Sequence, residues 1–196
     1  MHTTARLGIL VSGSGRTALN IADACERGEV DARIALVVAH REEIDGVARC
    51  RARGLRVAVV PPGPALEERI DACLLAASVD LVCLAGYLRR FRVGERWRGR
   101  TLNIHPSLLP KFGGTGMYGL RVHAAVLAAG ERETGCTVHL ADEEYDRGSI
   151  VTTRRCAVEA GDTPETLAAR VFKEECVAYP QAIATLLSRR ATEAAR

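Results

Sequence analysis

The sequence predicts an α/β fold built on a mainly parallel sheet with helices on both faces. Short apolar runs alternate with helix-patterned stretches through the first two thirds of the chain, and the runs are continuously apolar, as strands buried on both faces must be. A glycine loop follows the first of these runs directly. The 196 residues suit one domain that buries about 70% of its unfolded surface. With 47% hydrophobic and 26% charged residues the chain is too apolar for disorder, and no apolar run approaches the roughly 18 residues of a spanning helix.

Taken in order, residues 7–11 read as a buried strand and 18–26 as the helix behind it. Residues 34–39 form a second strand and 43–53 a second helix, followed by a strand at 57–60. Leu66, Ile70, Cys73, Leu74 and Ala77 recur at the spacing of one helix face, leading into a strand at 81–85. Each of these helices fits a crossover between parallel strands. Beyond them come a short strand at 102–105, a helix at 121–129, and a strand pair at 137–140 and 150–153 around a charged loop. The last helix spans 164–187, with Asp162 or Thr163 as its cap and Pro164 in its first turn. Pro180 lacks the N–H that a helix interior uses, so a kink or a division is expected there.

Charge excludes one class of partner. The formal charge of +3, from 27 Lys and Arg against 24 Asp and Glu, is too small to predict nucleic-acid binding. Arg89, Arg90, Arg92, Arg96, Arg98 and Arg100 make one basic stretch, read as a solvated face, with attraction of an anionic ligand as the sharper reading. The seven cysteines are scattered, with no C-x-x-C pair and no spacing suited to metal ligation. Several lie in apolar runs, as thiols of a reducing compartment do. The start of the chain passes into its first apolar run without a small-residue cleavage site, which places the protein in the cytoplasm.

Three segments carry chemistry. Ser12-Gly13-Ser14-Gly15-Arg16-Thr17-Ala18 joins a strand to a helix, where backbone N–H groups and a helix N-terminus hold an anion. Gly13, Gly15 and Ala18 also satisfy G-x-G-x-x-A, which keeps a dinucleotide open; the second strand ends in Ala39-His40-Arg41, without the acidic residue for NAD but with Arg41 for a 2′-phosphate of NADP. In Leu102-Asn103-Ile104-His105-Pro106, strand alternation puts Asn103 and His105 on one face, and Pro106 turns the chain outward at the strand's carboxyl end. An amide donor beside an imidazole suits an oxyanion formed as an acyl group changes hands. The third segment, Asp142-Glu143-Glu144-Tyr145-Asp146-Arg147-Gly148, reads by itself as an acidic turn ended by glycine. The glycines of 113–119 suggest a mobile lid.

Asn103-Ile104-His105-Pro106-Ser107-Leu108-Leu109-Pro110, followed by Thr137-Val138-His139 and Asp146-Arg147-Gly148, resembles the folate-dependent formyltransferases. Ser12-Gly13-Ser14-Gly15, Leu84-Ala85-Gly86-Tyr87-Leu88-Arg89 and Glu175 before Tyr179-Pro180 narrow the likeness to the branch that serves purine synthesis, and it runs in order along nearly the whole chain. The resemblance implies a formyltransferase fold of one domain, 1–196, with a Rossmann-like half over about 1–100 and a sheet-completing catalytic half over about 101–196. It implies transfer of the formyl group of 10-formyltetrahydrofolate to the amine of phosphoribosylglycinamide, without a metal, a membrane or a nucleic acid, and it leaves room for a homodimer. Asn103, His105 and Asp146 match the family's catalytic trio. Gly15, Arg16 and Thr17 would hold the substrate phosphate and Glu175 the glycinamide amine, while Leu88, Arg89, Arg90, Phe91, Leu140 and Asp142 would border the pterin.

The chain departs from the family pattern in places: Arg16-Thr17 stands where the loop usually has Ser-Asn, an expected Arg is replaced near Glu67 with Arg69 close by, and Phe172 replaces a polar residue. A related enzyme acting on another phosphorylated amine therefore stays open beside the NADP reading. In the expected mechanism Asn103 and protonated His105 stabilise the oxyanion, and Asp146 keeps His105 charged and helps the proton across through water.

Overall fold

The computed structural model describes residues 4–194; the first three residues, on which the reading of the chain's start partly rests, lie outside the described residues, as do Ala195 and Arg196. The chain divides into two compact units, Met1–Leu102 and Asn103–Arg196.

In the first unit, β1 (Ala5–Val11), β2 (Ala32–Ala39), β3 (Val57–Val59) and β4 (Leu81–Leu84) alternate with α1 (Arg16–Glu26), α2 (Asp45–Ala52) and α3 (Leu66–Ala76). β1 pairs in parallel with both β2 and β4, and β2 pairs in parallel with β3. The chain thus winds from β1 toward β3 on one side and starts again on the other with β4, which makes the carboxyl end of β1 a topological switch point. Leu7, Ile9, Leu10, Val11, Leu36, Leu74 and Leu81 are buried, confirming that the continuous apolar runs are strands covered on both faces. A single turn, α4 (Gly94–Trp97), interrupts the basic stretch. Its Trp97 is buried and donates its indole N–H to Asp71 of α3 at 2.6 Å.

The glycine loop owes its shape to contact as well as to conformation. Gly15 stands before α1 at φ 71°, in the left-handed region, and a Cβ there would lie 2.7 Å from the Cα of Gly46. Gly46, at the start of α2, donates its N–H to the Gly13 carbonyl at 3.0 Å. Two helix starts therefore meet backbone to backbone, and a side chain on either glycine would part them.

The second unit holds α5 (Leu120–Ala128), β6 (Glu133–Leu140), β7 (Ile150–Ala157) and α6 (Pro164–Ala194), and most of β5 (Thr101–His105). β6 and β7 are antiparallel, with Thr137 opposite Thr153 and a register shift at Val138/His139. Both strands extend beyond the expected 137–140 and 150–153, because Glu133, Arg154 and Arg155 lie within the ladder and mask its apolar pattern. Thr163 and Thr166 bond each other reciprocally at the start of α6, and Asp162 accepts from Thr166 at 2.7 Å, so both expected cap residues take part. Of the kink or division expected at Pro180, the division does not occur. α6 runs unbroken through it, and Ala178, Tyr179, Ala182 and Ile183 are fully buried on both sides of the proline, so packing holds the helix together despite the missing donor.

Together the strands give a seven-stranded sheet in the order β3-β2-β1-β4-β5-β6-β7, the mainly parallel α/β class read from the sequence. At Gly15 the conformation and the contact with Gly46 act together, so Gly15→Ala should cost roughly 2–4 kcal/mol of stability. Chemical denaturation measures it; a loss below about 0.5 kcal/mol would show that the loop relaxes freely.

Candidate active site

The second unit gathers its polar side chains at the carboxyl end of β5. Asn103 and His105 share one face, as alternation requires, and His139 comes from β6. Asp146, on the loop between β6 and β7, adopts φ 57° and turns its carboxylate toward all three. The amide nitrogen of Asn103 lies 3.2 Å from Asp146 Oδ1 and 3.0 Å from His139 Nε2, so both of its protons have acceptors. His139 Nδ1 donates to the Leu140 carbonyl at 2.9 Å, which leaves its Nε2 free to accept from Asn103. The other carboxylate oxygen, Oδ2, accepts the Gly114 N–H at 2.9 Å and lies 3.4 Å from His105 Nδ1. Side-chain exposure is 5% for His105, 2% for His139 and 9% for Asp146.

Burial pushes the Asp146 carboxyl up, but His139, His105 and the Gly114 N–H outweigh it and hold the group below its ordinary value. Asp146 is therefore a buried anion. For His105 the balance is reversed. Burial lowers its pKa, and the upward pull of Asp146 and the Phe112 carbonyl does not overcome this. Burial thus disfavours the charged form of His105 in the free protein, while Asp146 beside it favours that form. Its Nε2 lies 2.7 Å from the Phe112 carbonyl, an acceptor only, so Nε2 carries a proton, while Nδ1 faces Asp146 Oδ2 at 3.4 Å. A proton on Nδ1 has its counter-charge already in place in Asp146.

His139 was not singled out as a site residue in the sequence, though its signal was there: Thr137 and His139 alternate onto one face of their strand, as Asn103 and His105 do on theirs. Leu140 and Asp142 lie on the same loop as Asp146. The Leu140 carbonyl is held by His139, Asp142 caps the turn through the Glu144 N–H at 2.9 Å, and a Cβ on Gly148 would collide with the Leu140 carbonyl. Glu175 is half-buried on α6, close enough to Cys136 to add to the burial that pushes that thiol up to about 12. The glycine segment of 113–119 is tied at its start, where Gly114 meets Asp146.

In the first unit, Gly15 is buried, Thr17 half-buried and Arg16 exposed at the first turn of α1. That helix has neither a side-chain cap nor an acidic residue in its first turn, which leaves its positive end for an anion. Ser12 accepts the Leu88 N–H at 2.9 Å and lies 3.4 Å from His40 Nδ1, whose ring burial, Arg89 and Arg41 hold below its ordinary pKa. Leu88 is 59% exposed, Arg89 half-buried and Arg90 exposed, but the Phe91 side chain, 8% exposed, belongs to the core and offers a ligand only its backbone. Arg92, Arg98 and Arg100 are exposed, as a solvated face would be. Among the described residues no three His, Cys, Asp or Glu side chains are grouped as a metal would need, and no helix is long and apolar enough to cross a membrane.

The sequence pattern described as "Formyl transferase" matches residues 5–183. The chain is 39% identical over 194 residues to the chloroplastic phosphoribosylglycinamide formyltransferase of Arabidopsis thaliana, covering 94% of this chain and 66% of that protein, just under two thirds. It is 33% identical over 185 residues to the phosphoribosylglycinamide formyltransferase of Haemophilus influenzae, with 91% and 85% covered. Its structure resembles that of glycinamide ribonucleotide transformylase 1 from Symbiobacterium toebii, with a TM-score of 0.87 at 37% identity over 92% of this chain and 86% of that one.

His123, on α5, is buried with an unpartnered Nδ1, and burial together with His105 holds its pKa at about 4. Between the ordinary value of 6.5 and about 4 the unfolded chain takes up a proton that the folded protein refuses. Stability should therefore fall as pH drops through that window, by about 3 kcal/mol from this group. Denaturation between pH 7 and pH 4, compared with His123→Gln, isolates the contribution; equal slopes in the two proteins would contradict it.

Proposed function

The chain belongs to the formyl transferase family, and from that premise we propose that it transfers the formyl group of 10-formyltetrahydrofolate to the amine of phosphoribosylglycinamide, in purine synthesis. The observation that carries the reading is the buried network of Asn103, His105 and Asp146, which a binding module would have no reason to keep at this cost. The NADP reading explains the glycine loop and Arg41 but gives these three groups no task. A cytoplasmic location belongs to the same reading, since the described cysteines are thiols and not disulfides.

The roles follow from the chemistry of the step. The acceptor amine attacks the formyl carbon as a neutral nucleophile, so the tetrahedral intermediate carries an anionic oxygen and a cationic nitrogen. Protonated His105, paired with the Asp146 carboxylate 3.4 Å from its Nδ1, stabilises the anionic oxygen. Asp146 helps the proton of the cationic nitrogen pass through water to the leaving nitrogen of the folate. Asn103, whose two amide protons are held by His139 and Asp146 in the free protein, turns one of them to the oxygen as its charge develops. A donor of this kind is worth about 3–4 kcal/mol, whereas holding two substrates in register is worth roughly 7–11 kcal/mol, so positioning is the larger contribution. For the phosphate the reading assigns Gly15, Arg16 and Thr17 at the start of α1, and for the amine Glu175. Leu88, the backbone of Phe91, Arg89, Arg90, Leu140 and Asp142 are assigned to the pterin.

Incubation with both substrates, following tetrahydrofolate release, tests the activity directly; tight NADPH binding without folate binding overturns it. Asp146→Asn should lower kcat sharply with folate affinity kept, and Asn103→Ala should cost about 10²–10³ in kcat. Near-wild-type kcat in both would make the network structural. Arg16→Ala should raise the acceptor KM about 10- to 150-fold by losing a charge-assisted contact, with folate KM unchanged. An acceptor KM left where it was would assign the phosphate to the backbone alone.

A further inference from the structure

Val11 pairs with Ala39 at the ends of β1 and β2, so Ser12 and His40 are each the first residue past their strand and stand side by side. In a dinucleotide site the end of β2 would offer an acid to a ribose. Here His40 is 8% exposed and turned toward its neighbours instead. Its Nδ1 lies 3.4 Å from the Ser12 hydroxyl, and its ring meets the Tyr87 ring edge-on, with centroids 6.3 Å apart. Tyr87 belongs to the segment after β4, which leaves its strand with the Ala85 N–H on the Leu10 carbonyl at 2.9 Å. Gly86 then turns left-handed at φ 72°, with nothing near its Cβ position, so conformation and not space calls for glycine there. The turn brings the Leu88 N–H back to the end of β1, where the Ser12 hydroxyl accepts it at 2.9 Å. A hydroxyl that accepts still has its own proton to give. Burial, Arg89 and Arg41 disfavour the charged form of His40, and a neutral ring has one bare nitrogen to receive that proton. Past the paired residues, side chains thus join the ends of β1, β2 and β4.

We propose that Ser12, oriented by His40, is a positioning residue that ties the loop after β4 to the glycine loop, so that the anion place at the start of α1 and the pterin place at Leu88 to Phe91 keep one fixed spacing. The physical reason is that Ser12 is covalently part of one loop and hydrogen-bonded to the other. Its backbone continues into Gly13, whose carbonyl accepts the Gly46 N–H at 3.0 Å, and on to Gly15 before α1. Its hydroxyl holds Leu88, which is 59% exposed, so without that hydroxyl the Leu88 N–H turns to water and the loop is released. A displacement of about 1 Å between groups that must react costs on the order of 10²-fold in rate. Ser12→Ala removes the hydroxyl at nearly constant volume, whereas Ser12→Thr keeps it. His40→Phe keeps a ring against Tyr87 but offers Ser12 no nitrogen, which separates packing from orientation.

The tie between the loops stands on the geometry alone, whereas its effect on formyl transfer rests on the function proposed above. Amide hydrogen exchange followed by 15N-resolved NMR reads the Leu88 N–H directly. Exchange should be slow in the natural protein, roughly 10-fold or more faster in Ser12→Ala, near the natural rate in Ser12→Thr, and intermediate in His40→Phe. In turnover, Ser12→Ala should lower kcat about 10- to 100-fold with both KM values changed less than about threefold, and Ser12→Thr should recover most of the loss. Unaltered Leu88 exchange in a folded Ser12→Ala protein overturns the proposal, and so does faster exchange with kcat unchanged. An effect confined to the folate KM overturns it too, since the hydroxyl would then support the pterin loop alone. If Ser12→Ala does not fold, His40→Phe takes its place, and unaltered Leu88 exchange there counts equally against it. A natural protein with no formyl transfer at all would remove the function and leave the exchange result to decide the tie.

Discussion

The second unit is organised around a carboxylate that must remain charged where water scarcely reaches. A buried anion without partners would cost several kcal/mol or take up a proton, and Asp146 avoids both by collecting the Asn103 amide and the Gly114 N–H, with two imidazoles close by. Each partner is then fixed in turn. Asn103 is held between Asp146 and His139, His139 is held by the Leu140 carbonyl, and His105 is held by the Phe112 carbonyl. The left-handed conformation of Asp146 and of Phe112 is the local strain that this arrangement requires, and it is borne by the strand ends that the bonds tie together.

The same carboxylate and the burial around it act in opposite directions on the neighbouring histidine. Burial removes the solvent that would stabilise an imidazolium, and Asp146 supplies a fixed counter-charge in its place. The Phe112 carbonyl holds the other nitrogen of the ring.

The first unit solves a different problem with backbone alone. Reversal of the strand order at β1 leaves a gap at its carboxyl end, and the close meeting of Gly15 with Gly46 brings two helix starts to that place. α1 arrives there without a cap or an acid of its own, so its positive end is not consumed internally. Contact, as much as the anion, thus accounts for the glycines in that loop. Glycine spacing by itself left a dinucleotide open because the tight turn is common to both uses.

By itself the sequence determined the order and kind of nearly every element, because burial on both faces writes continuous apolar runs and crossover helices write a 3.6-residue period. It also determined that Asn103 and His105 share a face, since alternation along a strand depends on nothing else. Where polar residues lay within paired strands, as at Glu133 and Arg155, the pattern faded before the ladder ended, and at Pro180 a local rule yielded to the packing of Tyr179 and Ile183. Asp146 was recognisable only through the family resemblance, as alone it read as a surface turn. The place of His139 in the network and the contacts of the two ring nitrogens of His105 were decided by tertiary structure alone. Each depends on distances between segments far apart in the chain and on how much water those segments exclude, and neither quantity exists until the chain has folded.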